Sequence, residues 1–201
     1  MTRDKPQFTA EQLREAGIKS FQNASELVEE ATLLFDHGRF SRSIYLCCIA
    51  GEELGKCFIS LSAVMNRRVG KFDEKRYKQR FRTHREKTGI LHFFEDVFVS
   101  SSDLPIEASD AGANTLIETM KLASLYTDFY GVDARTPSEL ITKQLASEVL
   151  RLAKNRAKHF SENVRPMFDH VLQIDLTEFI RLRDKSLGEI GANDLESEVD
   201  S

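Results

Sequence analysis

The 201-residue chain is 41% hydrophobic and 30% charged, with a formal net charge of −4, the composition of a globular protein with material for one sizeable core. Its longest nearly apolar run, "IYLCCIAG", is far short of the roughly 20 residues that cross a bilayer, and its polar start has no leader pattern, so the reading is a cytoplasmic protein without membrane contact. Three cysteines, Cys47, Cys48 and Cys57, lie on one predicted helix without C-x-x-C spacing or nearby histidines, which argues against a metal site or a catalytic thiol and for reduced core residues.

Thr9 with Gln12 three residues on forms a capping box, and Phe8 is placed to staple onto Leu13. A helical period then runs from Leu13 to Phe35 until "DHG", with Gly38 as the cap. The first helix is therefore expected over about 10–36. A second is expected from Ser41 to about Met65, antiparallel to the first across the short "HGRF" link. A third is expected over about 73–99 and a fourth over about 114–130. "TPSE" gives the clearest start signal, Thr136 as cap, Pro137 first in the helix and Glu139 closing the box. That fifth helix is expected to reach toward Val164, with Pro166 just beyond, and a shorter helix or two to follow. No alternating strand and no internal repeat is read. The result is an all-α bundle of about five to six helices, one domain over 1–185, with an acidic tail over 186–201 read as disordered.

The tail conceals the charge of the bundle. Glu189, Asp194, Glu196, Glu198 and Asp200 follow Lys185 with no base among them, and without them the net charge moves from −4 to +1. Residues 66–87 hold ten Lys or Arg against three acids. Two readings of that density stay open: contact with phosphates, through Arg80, Arg82 and Arg85, or a solvated helix face.

Within the second helix, "IAGEELGKCFIS" sets Glu52, Glu53 and Lys56 among apolar positions. Glu52 shares a helix row with Cys48, Lys56 and Ile59, and Glu53 with Ile49 and Cys57. Gly51 and Gly55 each cost the helix about 1 kcal/mol relative to Ala, a sign of close approach by another backbone or a ligand. A Glu52–Lys56 pair on an exposed edge, worth about 0.3 kcal/mol, is the simplest account. The alternative is an inward-facing acidic pair met by cations or imidazole from neighbouring helices.

"FQNASELVEEATLLFDHGRFSRSIYLCCIAGEELGK" resembles the opening of the AbiV family of bacterial abortive-infection proteins, with its Asn-Ala start, Gly-Arg-Tyr/Phe turn and E-E-L-G-K core. "FRTHREK" resembles the family's His-x-x-Lys element, and "KLASLYTD" its Ser-Leu-Tyr-x-Asp element. The resemblance implies a HEPN-like helical bundle, usually a homodimer, in a fold class that often cleaves RNA without metal. The usual HEPN signature, Arg then four to six residues then His, is met by Arg85–His92 and Arg165–His170, and with Lys by Lys154–His159. These matches are no more than chance supplies. By element order the corresponding pair is Lys121 and Tyr126, a departure from the pattern, since a phenol with a pKa near 10 is a poor base at neutral pH.

Metal-free RNA cleavage needs a group to take the 2′-hydroxyl proton, a cation for the phosphate and a donor for the leaving oxygen. His84 is the candidate acid or base, Lys87 and Lys121 the phosphate cations, Tyr126 the donor, and Glu52 or Glu53 the orienting carboxylate. "EE" is not H-E-x-x-H and there is no Glu-x-x-His pair, so no metal is assigned; no cofactor is implied either. Two functions follow: an antiphage effector acting on RNA or the translation machinery, or a non-catalytic module that binds a phage-encoded or host protein.

Overall fold

A computed structural model describes residues 8–84, 86–87, 110–130, 132–173 and 175. Helix α1 spans Ala10–Asp36. Its start is the expected capping box: the Gln12 N–H donates to Thr9 Oγ1 (3.2 Å) and the Thr9 N–H to Gln12 Oε1 (2.9 Å). Its end falls where the sequence places it, with Gly38 at φ 72° and its N–H on the Phe35 carbonyl (2.9 Å), a left-handed turn that glycine enters without steric cost.

Helix α2, Phe40–Arg68, folds back along α1. Ala24 and Ala31 of α1 and Ala50 of α2 are all buried, and such small side chains let two helices approach closely. The Ser43 hydroxyl, itself buried, crosses to the Ala31 carbonyl (2.8 Å). The second half of α2 is buried on most sides, from Glu52 to Val64, so it is the central helix and its polar groups need partners.

Helix α3, Glu74–Arg82, is capped by Asp73, whose carboxylate accepts the Arg76 N–H (3.0 Å). The sequence predicts one helix from here to residue 99; the chain instead breaks at Thr83, which adopts extended backbone (φ −81°, ψ 118°). The Thr83 N–H and hydroxyl both go to the Gln79 carbonyl, and the next turn starts with the Lys87 N–H on the Thr83 carbonyl (3.3 Å). The remainder of the expected third helix lies outside the described residues.

Helix α4, Asp110–Ala123, also stops earlier than its apolar period suggests. The buried Ser124 hydroxyl takes the Lys121 carbonyl (2.9 Å), a local bond that competes with helix continuation. A short antiparallel hairpin follows, β1 Asp128–Tyr130 and β2 Asp133–Arg135, in register Asp128–Arg135, Phe129–Ala134 and Tyr130–Asp133. This corrects the strand-free reading. Two residues that include glycine, flanked by aromatic residues on one side, are a hairpin signal, and the helical period of the preceding residues obscures it.

The predicted fifth helix is two: α5 Pro137–Leu140 and α6 Lys143–His159. The Thr136–Glu139 capping box forms, but Ile141 leaves helical geometry to enter a core with Ile44, Cys48 and Ala146, and Thr142 caps α6 through the Leu145 N–H (3.2 Å). Helix α6 packs on α1 and α2, joining Leu150 and Ala153 to Val28, Ala31, Cys47 and Ala50. Beyond it, Phe160–Val164 is a π-helical turn that runs into α7, Arg165–His170. Pro166, in the first turn of α7, has no N–H for the α-helical ladder, and the Arg165 N–H reaches the Phe160 carbonyl five residues back. The slip turns Phe160 onto Phe21 (ring centroids 5.5 Å) and Phe58 (4.8 Å) and sets Phe168 against Gly17. Among the described residues no helix is long and apolar enough to cross a membrane.

All three cysteines are reduced and buried. Burial pushes the Cys47 thiol up to about 12, Cys48 to about 11, and Cys57 well above its ordinary range. Native protein is therefore expected to alkylate with iodoacetamide about a hundredfold more slowly than urea-unfolded protein, because only the thiolate reacts. Mass spectrometry of a timed quench checks this, and rapid native labelling of any of the three would contradict it.

Candidate functional site

Glu52 is 5% exposed, in the middle of α2. Its Oε2 accepts from Lys87 Nζ (2.9 Å) and lies 2.5 Å from His84 Nδ1; its Oε1 accepts from Lys121 Nζ (2.9 Å). The Lys121 ammonium also donates to Glu118 Oε1 (2.7 Å), three residues before it on α4. Three separate pieces of chain thus meet on one carboxylate: α2, the turn after α3, and α4. Lys87 and Lys121 are themselves buried, whereas the His84 side chain is 60% exposed.

The approach of the turn after α3 depends on Gly55. A Cβ there would overlap the Lys87 backbone carbonyl, so the glycine three residues beyond Glu52 is what lets this backbone come close enough for Lys87 and His84 to reach it. This is the close approach that the glycine's cost within a helix points to.

Glu52 carries a marked electrostatic signature. Burial acts to raise its pKa, but hydrogen bonds from Lys87, Lys121 and His84 outweigh it and hold the carboxyl at about 2. Lys121 shows the reverse balance: burial lowers its pKa, and its bonds to Glu118 and Glu52 raise it above the ordinary lysine value. A carboxylate ionised at neutral pH only accepts hydrogen bonds, so the proton between Glu52 and His84 sits on Nδ1. The ring is thereby fixed in the tautomer whose Nε2 carries the lone pair when neutral.

The sequence candidates do not all gather in one place. Glu52, His84, Lys87 and Lys121 converge. Glu53 and Lys56 form their own pair (2.5 Å), with the Lys56 ammonium 5.2 Å from the Phe81 ring centroid; the simple Glu52–Lys56 pairing gives way to this one. Tyr126 is 58% exposed and lies beyond the end of α4, so helical spacing does not relate it to Lys121, and no described contact ties it to Glu52. Arg80 Nε faces Glu86 Oε2 (3.3 Å), Arg82 is exposed, and Arg85 is outside the described residues. His159 sits by Asn163 (3.1 Å) and His170 is exposed on α7; His92 is outside the described residues.

Glu118 escaped the sequence reading. Its signal is the three-residue spacing to Lys121, legible once that lysine is placed inward. Glu52, His84 and Glu118 bring one potential ligand atom each within 4.8 Å of one another. Lys87 and Lys121 hold both oxygens of Glu52, however, and Lys121 one of Glu118, and two cations against two acids leave little net charge to attract a further ion.

The described residues form a helical bundle with one short hairpin, in which the buried Glu52 carboxylate ties three segments together. Residues 12–158 match the family model of AbiV, a HEPN family. The chain belongs to this family, and an abortive-infection, HEPN-type function is the one that membership suggests. No curated protein and no solved structure gives a match.

Proposed function

We propose that the protein is a bacterial antiphage effector which, as a homodimer, acts on RNA or the translation machinery on infection, with His84 as its acid–base group. The observation that carries this reading is the Glu52–His84 contact: an imidazole 60% exposed to solvent, held at 2.5 Å by a carboxylate that is 5% exposed. A carboxylate so placed orients the ring and stabilises the imidazolium formed when Nε2 takes a proton from a ribose hydroxyl. Lys87 and Lys121 hold Glu52 in place and so act as positioning residues. Arg80, Arg82 and Arg85 supply a cationic approach for the phosphates.

A second reading has support of its own. Both buried ammonium groups are committed to protein carboxylates, and Tyr126 stands apart from them, which suits a structural network in a module that binds a phage-encoded or host protein. Purified protein incubated with total RNA separates the two. His84→Ala is expected to stay folded, because Lys87 and Lys121 still hold Glu52, and to lose both RNA cleavage and protection of cells from phage. Retained protection by His84→Ala, with RNA left intact by the native protein, would favour the binding module.

A further inference from the structure

A second feature lies where α3 faces the start of α1. The start of α1 and the length of α3 enclose an open groove of about 330 Å³, lined by Phe8, Leu13, Tyr77, Lys78, Phe81 and Arg82, at the small end of the roughly 300–1,000 Å³ typical of ligand sites. Its floor is aromatic: Phe8 meets Tyr77 edge-on (centroids 5.8 Å) and Tyr77 is tilted against Phe81 (5.4 Å). Phe8 and Phe81 are only partly buried, and Arg82 is exposed. The Lys78 ammonium sits 5.2 Å from the Phe8 ring centroid, and Lys56 lies the same distance from Phe81. Apolar rings bordered by cations, two of those rings (Tyr77 and Phe81) in a segment of ten bases and three acids, suit an occupant with a flat apolar face and a negative charge beside it. A nucleotide has both.

We propose that this groove takes a base of single-stranded RNA, stacked on Phe8 and Phe81, with Lys78 and Arg82 at the adjoining phosphates. The proposal rests on the reading that the protein acts on RNA, and it names the substrate class as unpaired RNA. Arg82, in the groove, and His84, on Glu52, are two residues apart in the chain, which makes the groove and that contact neighbours. Lys78 shares its charge with Glu74 (2.5 Å), which leaves Arg82 the stronger phosphate contact.

The test is fluorescence anisotropy with a fluorescein-labelled, 2′-O-methyl single-stranded oligoadenylate, which lacks the 2′-hydroxyl that cleavage needs. Phe8→Leu keeps an apolar side chain above Leu13 but removes the ring face, and about tenfold weaker binding with an unchanged salt slope is expected. Arg82→Gln is expected to weaken binding and lower the salt slope by about one. Loss in Arg82→Gln with none in Phe8→Leu would overturn base stacking, leaving charge attraction of the kind an acidic peptide also gives. Native affinity in both groove variants, or no binding by the native protein, would overturn the site altogether. The effector reading is judged separately by phage protection in His84→Ala cells, so either can fail alone.

Discussion

Glu52→Ala is expected to destabilise the protein by about 3–5 kcal/mol, because it leaves the Lys87 and Lys121 ammonium groups buried without a shared counter-ion. Breaking a buried pair from one side costs far more than the pair contributes on balance, since the remaining charges have neither water nor a partner. Lys121 keeps Glu118, whereas the Lys87 bond to Glu52 (2.9 Å) is lost outright. Glu53→Ala removes one pair with a partly exposed Lys56 and is expected to cost less than half as much. The acid limb carries a second readout. The folded-state pKa of Glu52, about 2, lies below the unfolded carboxyl value of about 4.3. Its contribution is therefore present above the unfolded value and lost as pH falls from about 4.3 through about 2. Lys121, raised in the fold, contributes fully below its ordinary pKa and loses that contribution only as pH climbs through the raised value. Urea titrations of native protein and Glu52→Gln at pH values from 7 down to 3 should show the stability gap narrowing as the medium becomes acid. A Glu52→Ala protein within about 1 kcal/mol of native at pH 7 would mean that the cluster does not hold the three segments together.

The sequence signals that held up are those in which a residue and its effect are neighbours along the chain. The Thr9 capping box, the Gly38 turn and the Thr136–Glu139 box each involve atoms three or four residues apart, so the boundaries of α1 and the start of α5 are legible locally. The inward placement of Glu52 was also foreshadowed, by a carboxylate and two glycines among core residues. What the helix rows do not specify is the partner. Lys56 has spacing suited to either acid, and the choice of Glu53 follows from Lys87 and Lys121 arriving at Glu52 from elsewhere in the chain. The break at Thr83 has the same origin: basic residues on either side are good helix formers, and the contact that accompanies the bend is with Gly55, nearly thirty residues earlier. Ile141 and Thr142 interrupt an otherwise continuous period because a core position for Ile141 outweighs one more helical turn. The hairpin after α4 was hidden by an apolar spacing that fits a helix as well as it fits Phe129 and Tyr130 in a strand.

Gly55→Ala sets two opposing effects against each other, and the close approach is expected to win. Within a helix the substitution alone stabilises by about 1 kcal/mol. Here the new methyl would overlap the Lys87 carbonyl, a backbone group that cannot rotate aside as a side chain can. Relief requires the turn from Thr83 to Lys87 to move away from α2, which draws Lys87 Nζ and His84 Nδ1 out of reach of Glu52 and leaves a buried carboxylate short of donors. The combined cost of overpacking and broken pairing is expected to give a net loss of about 3 kcal/mol or more. At Gly17, by contrast, a methyl would meet the buried Phe168 ring at 2.5 Å and Ser60 Cβ at 3.1 Å, so Gly17→Ala is expected to cost stability through core overpacking while leaving the Glu52 contacts in place. Thermal melts rank the two. The mechanism is checked by combining Gly55→Ala with Glu52→Ala: both break the same contact, so the double variant should lose clearly less than the sum of the singles. A Gly55→Ala protein that melts above native, as helix propensity alone dictates, would show that Lys87 does not lie against α2 and that His84 is not held by Glu52.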